Sequence, residues 1–273
     1  MVSETAIARL LVGIIAAVAV AVFARRRGSL TEEGMWSAIA LGSVITVAGY
    51  GWAFLLLTFF LTSIGLSEWR RTEKEEATSA ILPDDIGRTG AQVLANGGVF
   101  GLCGLGWLLS HHPMWWYAGA GALAAATADT WATEIGIASR RTPVSIVGFQ
   151  PIATGLSGGV TWPGTVGLVA GATLLALASS LLNPTWIHDS PWIVALAGIG
   201  GALTDSLLGA TLQSVRYCDY CKEWTERFVH RCEYRTRPGR GLSWLTNNVV
   251  NAVATAVGAL FGAIISLVVV PGP

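Results

Sequence analysis

Residues 31–67, TEEGMWSAIALGSVITVAGYGWAFLLLTFFLTSIGLS, stay apolar for some 36 positions after two opening glutamates. One helix of that length would measure about 54 Å, far more than the roughly 30 Å of hydrocarbon in a bilayer. Gly49-Tyr50-Gly51-Trp52 at its middle carries a turn signal, so the stretch reads as two short membrane helices, 31–48 and 50–67. Further apolar runs of spanning length lie at 5–24, 91–110, 114–138, 162–182, 192–213 and 245–270. The expected fold is an all-α integral membrane protein of about eight transmembrane helices. It forms a single transmembrane domain over 1–273, with 214–244 as a cytoplasmic loop.

Charge supports the even helix count, because Lys and Arg accumulate in cytoplasmic loops. With the N-terminus outside, the inside loops hold Arg25 to Arg27, then Arg70, Arg71, Lys74 and Arg88. Arg140 and Arg141 follow, and finally the basic residues from Arg216 to Arg240. That places 16 of the 17 basic residues inside and leaves only Arg9 outside; an odd count would scramble the pattern. Both termini are then expected outside and the large loops in the cytoplasm. The outer loops around His111-His112-Pro113 and from Asn183 to Pro191 carry no Lys or Arg.

The residues are 52% hydrophobic and 12% charged, about half the charge of a soluble domain, so a soluble enzyme is excluded. Net charge is zero, which gives no general reason to bind nucleic acid. A cleaved signal peptide is disfavoured for residues 1–27, since the basic cluster follows the apolar run instead of preceding it. Glu73-Lys74-Glu75-Glu76 in the 68–90 loop reads as a solvated helix end.

Apart from Glu32 and Glu33 at the very start of the second span, only three acids, Asp129, Glu134 and Asp205, fall inside predicted spans, where an ionised carboxylate costs several kcal/mol unless it meets a partner, water or a metal. Their neighbours Thr130, Thr133, Thr204, Ser206 and Gln213, with Gln92, Asn96, Asn247, Asn248 and Asn251 on other spans, occupy the cytoplasmic halves of four helices. Such a gathering predicts a wet cavity toward the cytoplasm. Structural hydrogen bonds between helices are the plainer alternative. Ala126-Thr127-Ala128-Asp129-Thr130 weakly repeats as Ala202-Leu203-Thr204-Asp205-Ser206, which would set the two aspartates at similar depth. Oxygen ligands of this kind suit Mg²⁺ between carboxylates and substrate phosphates. Glu134, however, lies about 140° around an ideal helix from Asp129.

The segment with Ser157, Gly158 and Gly159 precedes the sixth predicted span, and backbone amides there could hold an anion. Gly164, Gly167 and Gly171 beyond it suit close helix packing. In the last loop, Cys218-x2-Cys221 and His230-x-Cys232 form a Cys3His set. Its readings are a structural zinc, free thiols or a redox pair. Cys103 reads as a small core residue.

RTGAQVLANGG (88–98), ADTWATEIG (128–136), SGGVTWPGT (157–165), DSLLGATLQ (205–213) and WLTNNVVN (244–251) together resemble a widespread family of polytopic membrane proteins that includes the chloroplast phytyl-phosphate kinase. The resemblance covers nearly the whole chain in order. It implies an Mg²⁺-dependent kinase moving a phosphoryl group from a nucleoside triphosphate, CTP, to an isoprenyl monophosphate of the phytyl or geranylgeranyl kind, giving the diphosphate. Asp129, Glu134, Asp205, Gln92, Asn96, Asn247, Asn248 and Asn251 are the positions that carry over, and the Cys3His loop resembles one in microbial members. Basic residues such as Arg88 would help to hold phosphates. The chain has no GxxxxGK[ST], so this would not be a P-loop enzyme. The competing function is ion-coupled secondary transport through the same carboxylates.

Overall fold

The computed structural model describes residues 4–83, 87–182 and 190–270; both chain ends and most of the expected outer loop, residues 183–189, lie outside them. The long helices are α1 (Glu4–Arg26), α2 (Glu32–Ala48), α3 (Tyr50–Glu68), α5 (Gly90–Ser110), α6 (Pro113–Ala138), α7 (Trp162–Leu181), α8 (Pro191–Thr211) and α9 (Asn247–Val269). These follow the eight expected spans closely. Gly49 alone breaks the long apolar stretch, at φ +141°, a conformation that favours glycine.

By length and composition, six of these helices can cross a membrane: α1 from Ile7, α3, α5, α7, α8 and α9. α2 has only 17 residues. α6 is built largely of alanine and glycine, and every residue from Trp116 to Ala128 is buried, so its neighbours and not lipid surround it.

The all-helical expectation fails between the helices. A short helix α4 (Arg71–Thr78) follows α3, and β1 (Val144–Ser145) pairs antiparallel with β2 (Gly159–Val160). The 214–244 loop is a small three-stranded sheet of β3 (Val215–Cys218), β4 (Glu223–Thr225) and β5 (Arg237–Arg240), ordered β4-β3-β5.

α6 is the axis of the bundle and touches α3, α5, α7, α8 and α9. Small residues bring the backbones together, as expected where lipid supplies no hydrophobic drive between helices. A Cβ on Gly198 would lie 2.7 Å from that of Ala124, and one on Gly201 would lie 2.4 Å from that of Ala125, so α6 and α8 run parallel. Gly164, Gly167 and Gly171 of α7 face the carbonyls of Ala132, Trp131 and Thr127, which makes α7 antiparallel and bears out their reading as packing residues. Gly262 against Tyr117 and Gly258 against Gly121 set α9 antiparallel too.

The segments expected on one side do assemble on one face. Leu30 bridges to Arg88, Arg70 donates to the Ala138 carbonyl at 3.0 Å, and the Thr225 hydroxyl donates to the carbonyls of Ala80 (2.9 Å) and Ile81 (3.1 Å). Arg9 sits at the opposite end, 5.5 Å over the Tyr50 ring. The half of the bundle away from the basic face is filled by an apolar core with Trp52 at its centre. Its ring lies 5.2 Å from that of Phe100, 5.3 Å from that of Trp116 and 6.2 Å from that of Trp107. Cys103 belongs to this core.

Candidate functional site

Below that core a cavity of about 1760 Å³ opens on the basic face. All three membrane acids line it, as do the thirteen other positions expected to meet substrate: Arg88, Gln92, Asn96, Thr130, Thr133, Ser157, Gly158, Gly159, Ser206, Gln213, Asn247, Asn248 and Asn251. Thr204 does not; its hydroxyl donates to the Gly200 carbonyl at 2.8 Å.

The parallel packing of α6 and α8 continues down from Ala124–Gly198 and Ala125–Gly201 to Asp129 and Asp205, which therefore stand at one level. Asp205 lies within electrostatic reach of Asp129, and its Oδ2 is buried without a hydrogen-bond partner. An orphan carboxylate oxygen in such a place is costly. It fits a site whose missing partner is a cation or a donor. On α9, which runs antiparallel beside both, Asn251 reaches the same level, and the helix starts with Asn247 and Asn248. Its N-cap, Thr246, makes no side-chain capping bond, so the first amides face the cavity with the positive end of the helix dipole. Gln92 is engaged differently, since its Oε1 accepts from the Thr89 amide at 2.7 Å in a capping box that starts α5.

Glu134 turns away from the aspartates, as the 140° offset implies. Its Oε1 accepts from the Ser67 hydroxyl at 2.6 Å and its Oε2 is ion-paired with Lys74. Lys74 is buried and also donates to the carbonyls of Leu66 (2.7 Å) and Ser67 (3.0 Å). The solvated reading of residues 73–76 is thus corrected at Lys74, because α4 lies against α6 with that side chain turned inward. Arg88 faces Glu134 from the cavity wall; burial pulls its pKa down from the ordinary arginine value and the Glu134 charge opposes the shift.

The Ser157 loop packs on the end of α8. Gly158 has φ +84°, and a Cβ there would lie 2.3 Å from the Ala210 nitrogen. Arg240 of β5 ties the two together, donating to the carbonyls of Ala210 (2.6 Å), Gly209 and Ser157 (both 3.3 Å). Ser157 donates its hydroxyl to Glu226 and accepts from Gln213 Nε2 at 2.6 Å. Sequence reasoning missed Glu226, Lys74 and Arg240. Nothing local marks them, since they enter the cavity from segments that read as loop.

In the three-stranded sheet, ligand atoms of Cys218, Cys221, His230 and Cys232 lie within 4.8 Å of one another. The sulfurs of Cys218 and Cys232 are 3.6 Å apart, and His230 Nδ1 is 3.3 Å from the Cys232 sulfur. A tetrahedral ion with metal–sulfur bonds near 2.3 Å sets sulfurs about 3.8 Å apart, so the cluster can hold a metal. His230 Nε2 lies 3.5 Å from Glu223, the kind of carboxylate that orients a ligating imidazole.

An apolar bundle with a polar cavity on one face, built from helices long and apolar enough to cross a bilayer, defines the class as integral membrane protein. Residues 15–259 match the integral membrane protein family DUF92, and the chain belongs to that family. It is 28% identical to Protein PGR of Arabidopsis thaliana, across 95% of this chain and 96% of that one. It is 29% identical to an uncharacterized membrane protein of Methanocaldococcus jannaschii, covering 94% of each. An uncharacterized membrane protein of Synechocystis is 28% identical over 84% of this chain and 80% of its own. No solved structure matches.

Glu226 offers a pH test outside the spans. Burial raises its pKa, while hydrogen bonds from Ser157 and the charge of Arg240 pull it back in part. A carboxyl with a raised folded pKa stabilises the fold fully below its unfolded pKa, and that contribution is lost as pH climbs through the folded value. Glu226→Gln is expected to flatten the fall in melting temperature of the detergent-solubilised protein above about pH 4.5. An unchanged pH profile would show that Glu226 is not desolvated.

Proposed function

We propose that the cavity is the site of a kinase that transfers a phosphoryl group from a nucleoside triphosphate to an isoprenyl monophosphate. A phosphate oxygen of the acceptor attacks the γ-phosphorus, the bond to the β-phosphate oxygen breaks, and an isoprenyl diphosphate and a nucleoside diphosphate leave. CTP as donor rests on the family resemblance. The observation that carries the reading is the orphaned Asp205 oxygen beside Asp129, in a cavity that is polar toward the basic face and closed toward the other.

Both substrates find suitable walls. Leu168 and Val169 of α7 and Ile199 and Leu203 of α8 line the cavity, and Val169 and Leu203 are also exposed on the bundle surface, so a lipid tail can leave between these helices. Asn96, Asn247 and Asn251 would orient the phosphates, with the Ser157-Gly158-Gly159 loop, whose Gly159 amide is already bonded to the Leu156 carbonyl, and Arg88 on the cytosolic side. Phosphoryl transfer asks mainly for positioning and charge neutralisation. Asp129 and Asp205 are the residues that would hold Mg²⁺, which when bound neutralises phosphate charge. The acceptor oxygen is already anionic, so no strong base is needed. Transport needs a path from the other face, where a separate cavity of about 330 Å³ is lined by Trp52, Trp107 and Trp116 and shares no lining residue with the polar one.

Incubation of purified protein with Mg²⁺, labelled CTP and a panel of isoprenyl monophosphates tests the reaction. Asp129→Asn and Asp205→Asn should each lower turnover by on the order of 100-fold at every pH, whereas loss of a general base would reshape the pH profile. Near-normal turnover in both variants, or solute movement in sealed vesicles without phosphate transfer, would replace the kinase with a transporter.

Positive-inside segregation supports eight spans with the basic face in the cytoplasm and both termini outside. A cysteine replacing His111 should react with an impermeant maleimide in intact cells, and one replacing Arg141 only after permeabilisation. The reverse pattern would invert the topology.

For the Cys3His cluster, the donor set and the spacing of its sulfurs support a structural zinc over free thiols. Metal analysis should find about one zinc per chain, and Cys221→Ser should lose it along with stability. Protein purified without chelator that carries no zinc would leave free thiols.

A further inference from the structure

We infer that Glu226, delivered by the Cys3His sheet, is the third carboxylate of the cation and phosphate site, in the place the sequence suggests for Glu134. The inference rests on the cation-holding part of the function proposed above and does not depend on which lipid or nucleotide is used.

Glu226 directly follows β4, and its backbone is pinned. The fully buried Thr225 donates to the carbonyls of Ala80 and Ile81, and the Glu226 amide donates to Ile81 at 2.9 Å. With the backbone held against the end of α4, the side chain lines the cavity. There it receives the Ser157 hydroxyl and, at 3.3 Å, Gln213 Nε2. Asp129, Asp205 and Glu226 all line this cavity, and Asp205 is within electrostatic reach of the other two.

Among the described residues no lysine or arginine forms an ion pair with Glu226; the nearby Arg240 gives its hydrogen bonds to backbone carbonyls and reaches the carboxylate only through its charge. Glu134 differs, since each of its oxygens already has a donor in Ser67 or Lys74. An independent sign of a missing ligand stands beside Glu226. Gln213 is 1% exposed, yet its Oε1 has no hydrogen-bond partner, and neither has Asp205 Oδ2. Unpaired buried acceptors around one spot are rare in a folded chain, and a hard cation with its waters satisfies several oxygens at once.

The Cys3His cluster is thereby linked to the cavity. β3 pairs with β4 in the register Arg216 with Thr225 and Cys218 with Glu223, so the cysteine turn at one end of this hairpin fixes the register that presents Glu226 at the other. The sheet is a working wall of the site.

The test uses the full chain in detergent, with Mn²⁺ as the probe. Binding is read from the electron paramagnetic resonance of free Mn²⁺, and melting is measured without the ion. Glu226→Gln is expected to weaken Mn²⁺ binding about tenfold or more without lowering the melting temperature, and Glu226→Asp to fall between it and the parent. Glu134→Gln should lower the melting temperature by stranding Lys74 and leave Mn²⁺ binding within about twofold. Wild-type affinity in Glu226→Gln, loss of binding in Glu134→Gln alone, or no Mn²⁺ binding by the parent protein would each overturn the assignment. If the expected pattern appears in protein that phosphorylates no isoprenyl phosphate, the reaction proposed above falls and the cation site stands.

Discussion

The site depends on how closely α6 and α8 approach. Between Ala124 and Gly198, and between Ala125 and Gly201, no side chain larger than a methyl group intervenes, and the two helices run parallel. Two carboxylates carried at one level on closely packed parallel helices repel each other unless water, a donor or a counter-charge comes between them. Larger residues in these rows would part the helices and let each aspartate find its own solvent. The small residues thus create the electrostatic problem that the proposed cation would resolve.

Two solutions to that problem appear side by side. Glu134 is neutralised within the fold by Lys74, with backbone carbonyls and Ser67 completing the coordination of both groups. A buried pair satisfied in this way is structural, and breaking it is costly because a charge is left behind. Asp129 and Asp205 have no such partner among the described residues. The fold supplies an internal lysine to one acid and leaves two others open a few residues away, and on the function proposed above that open pair is where a cation would bind.

Helix positions and the membership of the cavity were legible in the sequence, because both follow from local composition. An apolar run must span, a Gly49 flanked by aromatic residues must break, and polar residues at one depth in a membrane must face one another. The weak Ala126–Thr130 and Ala202–Ser206 repeat was enough to set two aspartates at one level. What stayed hidden came from tertiary docking of loops. Lys74 sits in a run of charge that looks solvated until α4 is laid against α6. Glu226 lies in a polar segment whose β structure needs the docking of Thr225 on Ala80 and Ile81 to take shape. The 140° offset of Glu134 was the one local hint that its partner lay elsewhere.

If the cavity is the phosphoryl-transfer site proposed above, its charge placement would account for how phosphates enter beside acids. Among the described lining residues, seven are basic and seven acidic, so the wall as a whole repels neither sign. The charges are segregated, however. Lys74 is paired with Glu134, and Arg71 with Glu68 and Glu75. Asp129 and Asp205 lie inside α6 and α8, about 9–14 Å before those helices end, whereas Arg88, Arg141, Arg216 and Arg240 come from the segments between helices. A polyphosphate approaching from the basic face would meet arginines first, and only a divalent ion held deeper would make the carboxylates attractive to it. On that reading, nucleotide without a cation would stop at the rim, and Asp129 and Asp205 would receive the phosphates only together with the cation they hold.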